Sequence, residues 1–134
     1  MKRLLFIEPS YITNSDNLKL LRVELSANYT KIDFGYQPTE EQKGVGNIKI
    51  PKETYISIVN EKKKFKLTST ENIAIEPKQL NFKTATDWLF FSIYFEPVPV
   101  KCCDLKLMEK KTNAETGFNF YSIELDKKKQ FEIK

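Results

Sequence analysis

The sequence reads as an all-β domain, an antiparallel sandwich of about eight or nine short strands. Three observations predict this. Apolar and polar residues alternate over short runs throughout the chain, turn residues separate those runs roughly every eight to twelve positions, and no segment holds a helical apolar period long enough to form a confident helix. At 134 residues the chain has the length of one domain around one core. Its ten Phe and six Tyr tilt an ordinary apolar content of 40% towards strand formers.

Taken in order, Leu4-Leu5-Phe6-Ile7 is apolar but turns polar at Glu8 and Pro9. This segment and the charged tail beginning at Lys127 to Lys129 read as peripheral to a core spanning about 18–125. Leu18 to Ser26 is the first periodic stretch, with Leu21, Val23 and Leu25 alternating with Arg22 and Glu24. Ala27 and Asn28 make a tight connection into Tyr29 to Tyr36, where Thr30, Ile32, Phe34 and Tyr36 form one face and Lys31 and Asp33 the other. The two stretches predict an antiparallel hairpin. Gln37 to Gly46, with Pro38, Gly44 and Gly46, predicts an exposed loop.

Asn47 to Ile50, Thr54 to Val59 and Lys64 to Ser69 fit three short strands, separated by Pro51 and by the polar turn Asn60-Glu61-Lys62-Lys63. Ile73 and Ile75 alternate before Pro77, and Leu80 and Phe82 tuck a crossover onto the core. The strongest strand signal is Asp87 to Phe95: Trp88, Phe90, Ser92 and Tyr94 share one face, and Leu89, Phe91, Ile93 and Phe95 the other. With both faces largely apolar, it belongs in the middle of a sheet covered on both sides, or it presents an aromatic face to a partner. The core assignment is the better fit for that aromatic stripe. Lys101 to Met108 and Phe118 to Leu125 close the strand count, joined by a loop containing Asn113, Glu115 and Gly117.

Composition removes several function classes. The chain has no His, the side chain most used for general acid-base work and metal binding near neutral pH. Cys102 and Cys103 are adjacent, so on a strand they point to opposite faces, and they read as two reduced, at least half-buried thiols. No second Cys pair exists to complete a metal or redox site. Ser-Lys pairs and paired carboxylates have no spacing that singles them out. Gly44-Val45-Gly46 lacks the third glycine and following helix of a phosphate loop and reads as a turn. Asn28-Tyr29-Thr30 is a formal glycosylation sequon, relevant only to an exported protein. No catalytic, cofactor-binding or metal-binding residue is assigned, no cofactor is expected, and the chain is not expected to be an enzyme.

The charge of +4, from 22 basic and 18 acidic residues, is spread along the chain and does not form the concentrated stripe of a nucleic-acid footprint. The Lys62-Lys63-Lys64 run beside Glu61 fits a solvated turn. The four-residue apolar run near the N-terminus falls short of the roughly seven that a signal peptide needs, and no segment approaches the roughly 18 of a membrane span. With Met1 as a native start the expectation is a cytoplasmic protein; with a signal trimmed away, a periplasmic or envelope-associated one.

Ile48-Lys49-Ile50-Pro51-Lys52-Glu53-Thr54-Tyr55-Ile56, followed by Glu61 to Leu67 and Ile73, resembles a strand-turn-strand pattern of bacterial immunoglobulin-like domains. Phe91 to Phe95 leading into Pro97-Val98-Pro99, then Cys103-Asp104-Leu105 and Phe118 to Ile123, is similar to their closing strands. Lys110 departs from the pattern, standing where a glycine turn is common. The resemblance implies an immunoglobulin-like β-sandwich of the kind found beside thioredoxin-like domains in envelope proteins, and it carries no catalytic residues.

These readings converge on a non-catalytic protein-binding or accessory module, a toxin-neutralising or envelope-associated protein being one version. Its contacts are expected through an exposed strand edge or the loops Gln37 to Gly46 and Thr112 to Gly117. The alternative is a carbohydrate or small-ligand binder using Trp88 and Tyr94. A nucleic-acid reading through Lys62 to Lys66 and Lys127 to Lys129, around Phe65 and Phe131, is weaker, and no nucleic-acid partner is expected.

Overall fold

The computed structural model describes residues 3–14, 18–36, 47–72, 74–75, 80–81, 89–108, 119–126 and 130–133. These residues form thirteen β-strands and, among them, no helix. The first seven are β1 (Arg3–Ile7), β2 (Ser10–Thr13), β3 (Leu18–Leu25), β4 (Thr30–Tyr36), β5 (Asn47–Ile50), β6 (Tyr55–Ile58) and β7 (Phe65–Glu71). The others are β8 (Ala74–Ile75), β9 (Leu80–Asn81), β10 (Leu89–Phe95), β11 (Asp104–Met108), β12 (Phe120–Glu124) and β13 (Gln130–Ile133).

Ten of the strands lie in one antiparallel sheet in the order β13-β1-β3-β4-β10-β7-β6-β11-β12-β2, while β5 sits between β8 and β9 in a small separate sheet. The expected immunoglobulin-like sandwich of two separate sheets is therefore replaced by a single sheet curled into a half-barrel. The strand that makes the difference is β7. Its first two residues, Phe65 and Lys66, pair with Ile56 and Tyr55 of β6. Its later residues, Leu67 to Glu71, pair with β10. One strand thus belongs to both halves, and the ladder continues where a sandwich would break it.

A short tether makes the curl obligatory. Only Glu8 and Pro9 separate β1 from β2, yet these strands lie eight positions apart in the sheet. A flat sheet would separate them by about 38 Å at the usual interstrand spacing. The chain from Ile7 to Ser10 spans at most about 11 Å. The sheet must therefore fold its two ends together, and the Phe34 ring of β4 lies 5.5 Å from Phe120 of β12 across the enclosed space. The concave side carries one apolar cluster drawn from both halves, including Phe34, Ile56, Phe91, Ile93, Phe95, Leu105 and Phe120.

The hairpin expected over 18–36 forms, with Leu25 opposite Thr30. Its turn is tied by the buried Ser26 hydroxyl, which accepts from the Asn28 and Tyr29 N–H groups at 3.2 and 3.1 Å. A register shift between Leu20 and Arg22 explains how Leu18, Leu20, Val23 and Leu25 are all buried although an unbroken alternation would turn the second pair outward. The N-terminal segment, expected to be peripheral, provides β1 and β2, and Leu4 and Phe6 are buried in the core. The tail contributes β13, paired to β1. Runs of four or five residues are too short for periodicity to assign, so their partners β3, β12 and β13 decide their place.

Candidate functional site

Strand β10 lies between β4 and β7. Alternation sends Phe91, Ile93 and Phe95 into the core and leaves Phe90, Ser92 and Tyr94 on the convex side. The stripe read mainly as core thus divides: one face is core and the other faces out. Phe90 is 60% exposed, and it stands opposite Gly35 of β4, which offers no side chain to cover the ring.

A groove of about 420 Å³ runs beside Phe90, lined also by Ile7, Glu8, Leu21, Arg22, Asp33, Asn72 and Ser92. Two of its residues have unusual backbones. Glu8 (φ 48°) and Asn72 (φ 65°) adopt left-handed conformations, as does Asn60 elsewhere. For a residue with a side chain this costs roughly 1–2 kcal/mol, least for Asn, and must be compensated by surrounding structure. At Glu8 the compensation is a 2.8 Å hydrogen bond from its N–H to the Leu21 carbonyl, which anchors the β1–β2 tether on β3. Such strained positions collect at functional surfaces.

A polar lattice adjoins the groove. The Arg22 Nε donates to Asp33 Oδ2 at 2.8 Å, and the Ser92 hydroxyl donates to Asp33 Oδ1 at 2.5 Å, joining β3, β4 and β10 through one carboxylate. Further along, the Tyr29 hydroxyl donates to Glu24, which Arg3 approaches at 3.6 Å. The Tyr94 hydroxyl donates to Glu71. That hydrogen bond, helped by desolvation, pushes the Tyr94 phenol up to about 12; Tyr29 is raised likewise by its bond to Glu24. Both phenols stay protonated well above neutrality and act as fixed hydrogen-bond donors across this face.

The residues proposed from the sequence fare differently. Tyr94 is half-buried, with Lys31 Nζ 5.7 Å over its ring. Lys62, Lys63 and Lys64 are exposed as a turn should be, but Phe65 is buried and unavailable for stacking. The two candidate loops, Gln37 to Gly46 and Thr112 to Gly117, lie outside the described residues, as do Trp88, Lys127 to Lys129 and the Phe131 side chain. Both cysteines are free. Cys102 is exposed, contrary to the half-buried expectation, because it precedes β11 and is not paired within it; its thiol donates to Gln130 Oε1 at 3.0 Å. Cys103 is partly buried, and desolvation pushes its thiol up to about 11. Among the described residues no group of three His, Cys, Asp or Glu could hold a metal ion, and no helix is long and apolar enough to cross a membrane.

Sequence reading missed Ile7 and Glu8 in this site, because they reach Phe90 only through the pairing of β1 with β3. Phe90 itself was marked by its face of β10.

Comparison with known proteins places these elements in a family. A family model described as the UPA-FIIND domain matches residues 4–116, beginning on β1 and running past β11. No curated protein and no solved structure matches the chain. The match goes to a β-rich family other than the bacterial immunoglobulin-like domains, whose resemblance extends to the all-β character alone.

Proposed function

The chain belongs to the UPA-FIIND domain family, and on that premise we propose that it is a non-catalytic module that docks a partner protein on the convex face around Phe90. UPA-FIIND domains mediate protein interactions, which supports this reading of both the role and the surface. The observation that carries it is Phe90, an exposed aromatic ring beside a groove on a central strand, where a sheet of this size has every opportunity to cover it. Burying a Phe side chain is worth about 1.5–3 kcal/mol, and aromatic anchors of this kind dominate interface energetics. The fitting partner segment offers an apolar side chain to Phe90 and Ile7 and polar groups to Arg22 and Glu8. The absence of His and the raised phenols support a role without catalysis.

Docking along a strand edge has separate support in β2, an end strand of the sheet, where Ile12 is 64% exposed opposite Ser122 of β12. Sugar stacking on Tyr94 is less well supported, since its hydroxyl is committed to Glu71.

Photo-crosslinking separates the two surfaces. With a benzophenone amino acid at position 90, a single crosslinked species is expected, competed by unlabelled wild-type protein; the same label at position 12 should give little. Strong, competable crosslinks from position 12 and none from position 90 would transfer the docking site to the edge.

A further inference from the structure

On the opposite half of the sheet a second groove, of about 410 Å³, sits at the head of the β6–β7 pair. Its walls are set by two local features. Pro51 opens a tight turn closed by a 3.1 Å hydrogen bond from the Thr54 N–H to the Pro51 carbonyl, which places Lys52 and Glu53 at its tip. Across from it, Phe65 points into the core, so its neighbours Lys64 and Lys66 point outward, and Lys66 pairs with Tyr55.

Three lysines therefore line one groove with the carboxylate of Glu53, and a second carboxylate, Glu96, adjoins it, its Oε1 accepting the Lys66 N–H at 2.8 Å. The ion pairs among the described residues, Arg3–Glu24, Arg22–Asp33 and Lys31–Asp33, all lie on the other half. Lys64 is held over the groove by the Tyr55 ring, 4.7 Å from its Nζ. Thr54, in the same wall and only 1% exposed, has a hydroxyl without a hydrogen-bond partner. Three ammonium groups around two carboxylates leave a net positive groove, which an anionic ligand would neutralise.

We propose that the Lys52–Lys64–Lys66 groove binds a multiply charged phosphate group. Ammonium groups recognise phosphate as compact point charges, and a phosphate offers three strongly accepting oxygens where a carboxylate offers two and a single charge. A nucleic-acid strand fits poorly. It needs exposed rings for successive bases, whereas Phe65 is buried and Tyr55 is covered by Lys64. This site is independent of the docking face around Phe90, on another part of the sheet.

The test is calorimetric titration of the full chain with inorganic tripolyphosphate at low and physiological salt, alongside co-sedimentation with phosphatidylcholine vesicles with and without a phosphoinositide. Saturable binding of one equivalent that weakens with salt is expected, and the exposed Lys52→Gln/Lys64→Gln pair should weaken it by at least about tenfold. Lys62→Gln/Lys63→Gln, which removes equal charge from the adjacent turn, should change it less than about threefold. Co-sedimentation that depends on the phosphoinositide would assign the source to a lipid headgroup; tripolyphosphate binding without it would assign a soluble phosphate ester. No saturable binding of either probe, or equal losses from the two lysine pairs, would overturn the site.

Discussion

The two convex faces of this curled sheet treat charge in opposite ways. Across β1, β3, β4, β10 and β7 the acids Glu24, Asp33 and Glu71 each accept from a phenol, a hydroxyl or a guanidinium on a neighbouring segment. At the head of β6 and β7, Lys52, Lys64 and Lys66 line a groove in which no ion pair forms among the described residues. Cross-strand pairs reward one register, and a slip by a single residue would break them all. Ammonium groups outside such ion pairs add little to register and stay available to a ligand. The first face is therefore a structural lattice around one docking groove, and the second is open for recognition.

The largest test of this contrast is its background, the shared core. Phe34→Ala and Phe120→Ala, one in each half, should each destabilise the domain by about 3–5 kcal/mol in denaturant unfolding. Because the rings lie 5.5 Å apart, the double variant should lose less than the sum. Simple additivity would mean that the halves do not share a core and that the sheet is less tightly curled.

Thr30→Val comes next. The buried Thr30 hydroxyl accepts the Val98 N–H at 3.0 Å and donates to the Glu96 carbonyl at 3.2 Å, so its removal leaves a buried N–H unsatisfied. A loss of about 1–3 kcal/mol is expected from the shift in urea midpoint. Asp33→Ala removes the shared acceptor of Arg22 and Ser92 and should cost about 1 kcal/mol. Lys52→Gln and Lys64→Gln should stay within about 0.5 kcal/mol of wild type by the same measurement. Equal costs for the two faces would abolish the distinction between them.

The smallest effect is one of pH. Tyr94 titrates near 10 in the unfolded chain and at about 12 in the fold, so its contribution is fully present below pH 10. It declines as pH rises from 10 to 12, because only the unfolded chain releases the proton there. Tyr94→Phe should make the melting temperature fall less steeply across that interval. Identical slopes for wild type and Tyr94→Phe would show that the bond to Glu71 adds nothing.

Much of this was legible from residues alone. Alternation puts Thr30, Ile32, Phe34 and Tyr36 on one face, of which the first three are buried and Tyr36 partly so, and it puts Phe90 and Phe91 on opposite faces. Local alternation reports which side of a strand a residue takes, since successive side chains point to opposite faces. It did not report that Leu4 and Phe6 enter the core, because five residues hold too little of the pattern. Nor could it bring Ile7 to Phe90 or Lys52 to Lys64, whose proximity depends on strands far apart in the chain.

The sequence by itself determined the all-β class, the hairpin over 18–36 and the lack of His chemistry, each following from composition or from a period of two, while the exposure of one face of β10 came from the tertiary structure. Only the tertiary structure decided that the strands make one curled sheet, that β7 serves both halves, and that Glu8 and Pro9 tie its ends together. Strand order and register are set by long-range pairing and by how far a two-residue link can reach, which no local pattern encodes.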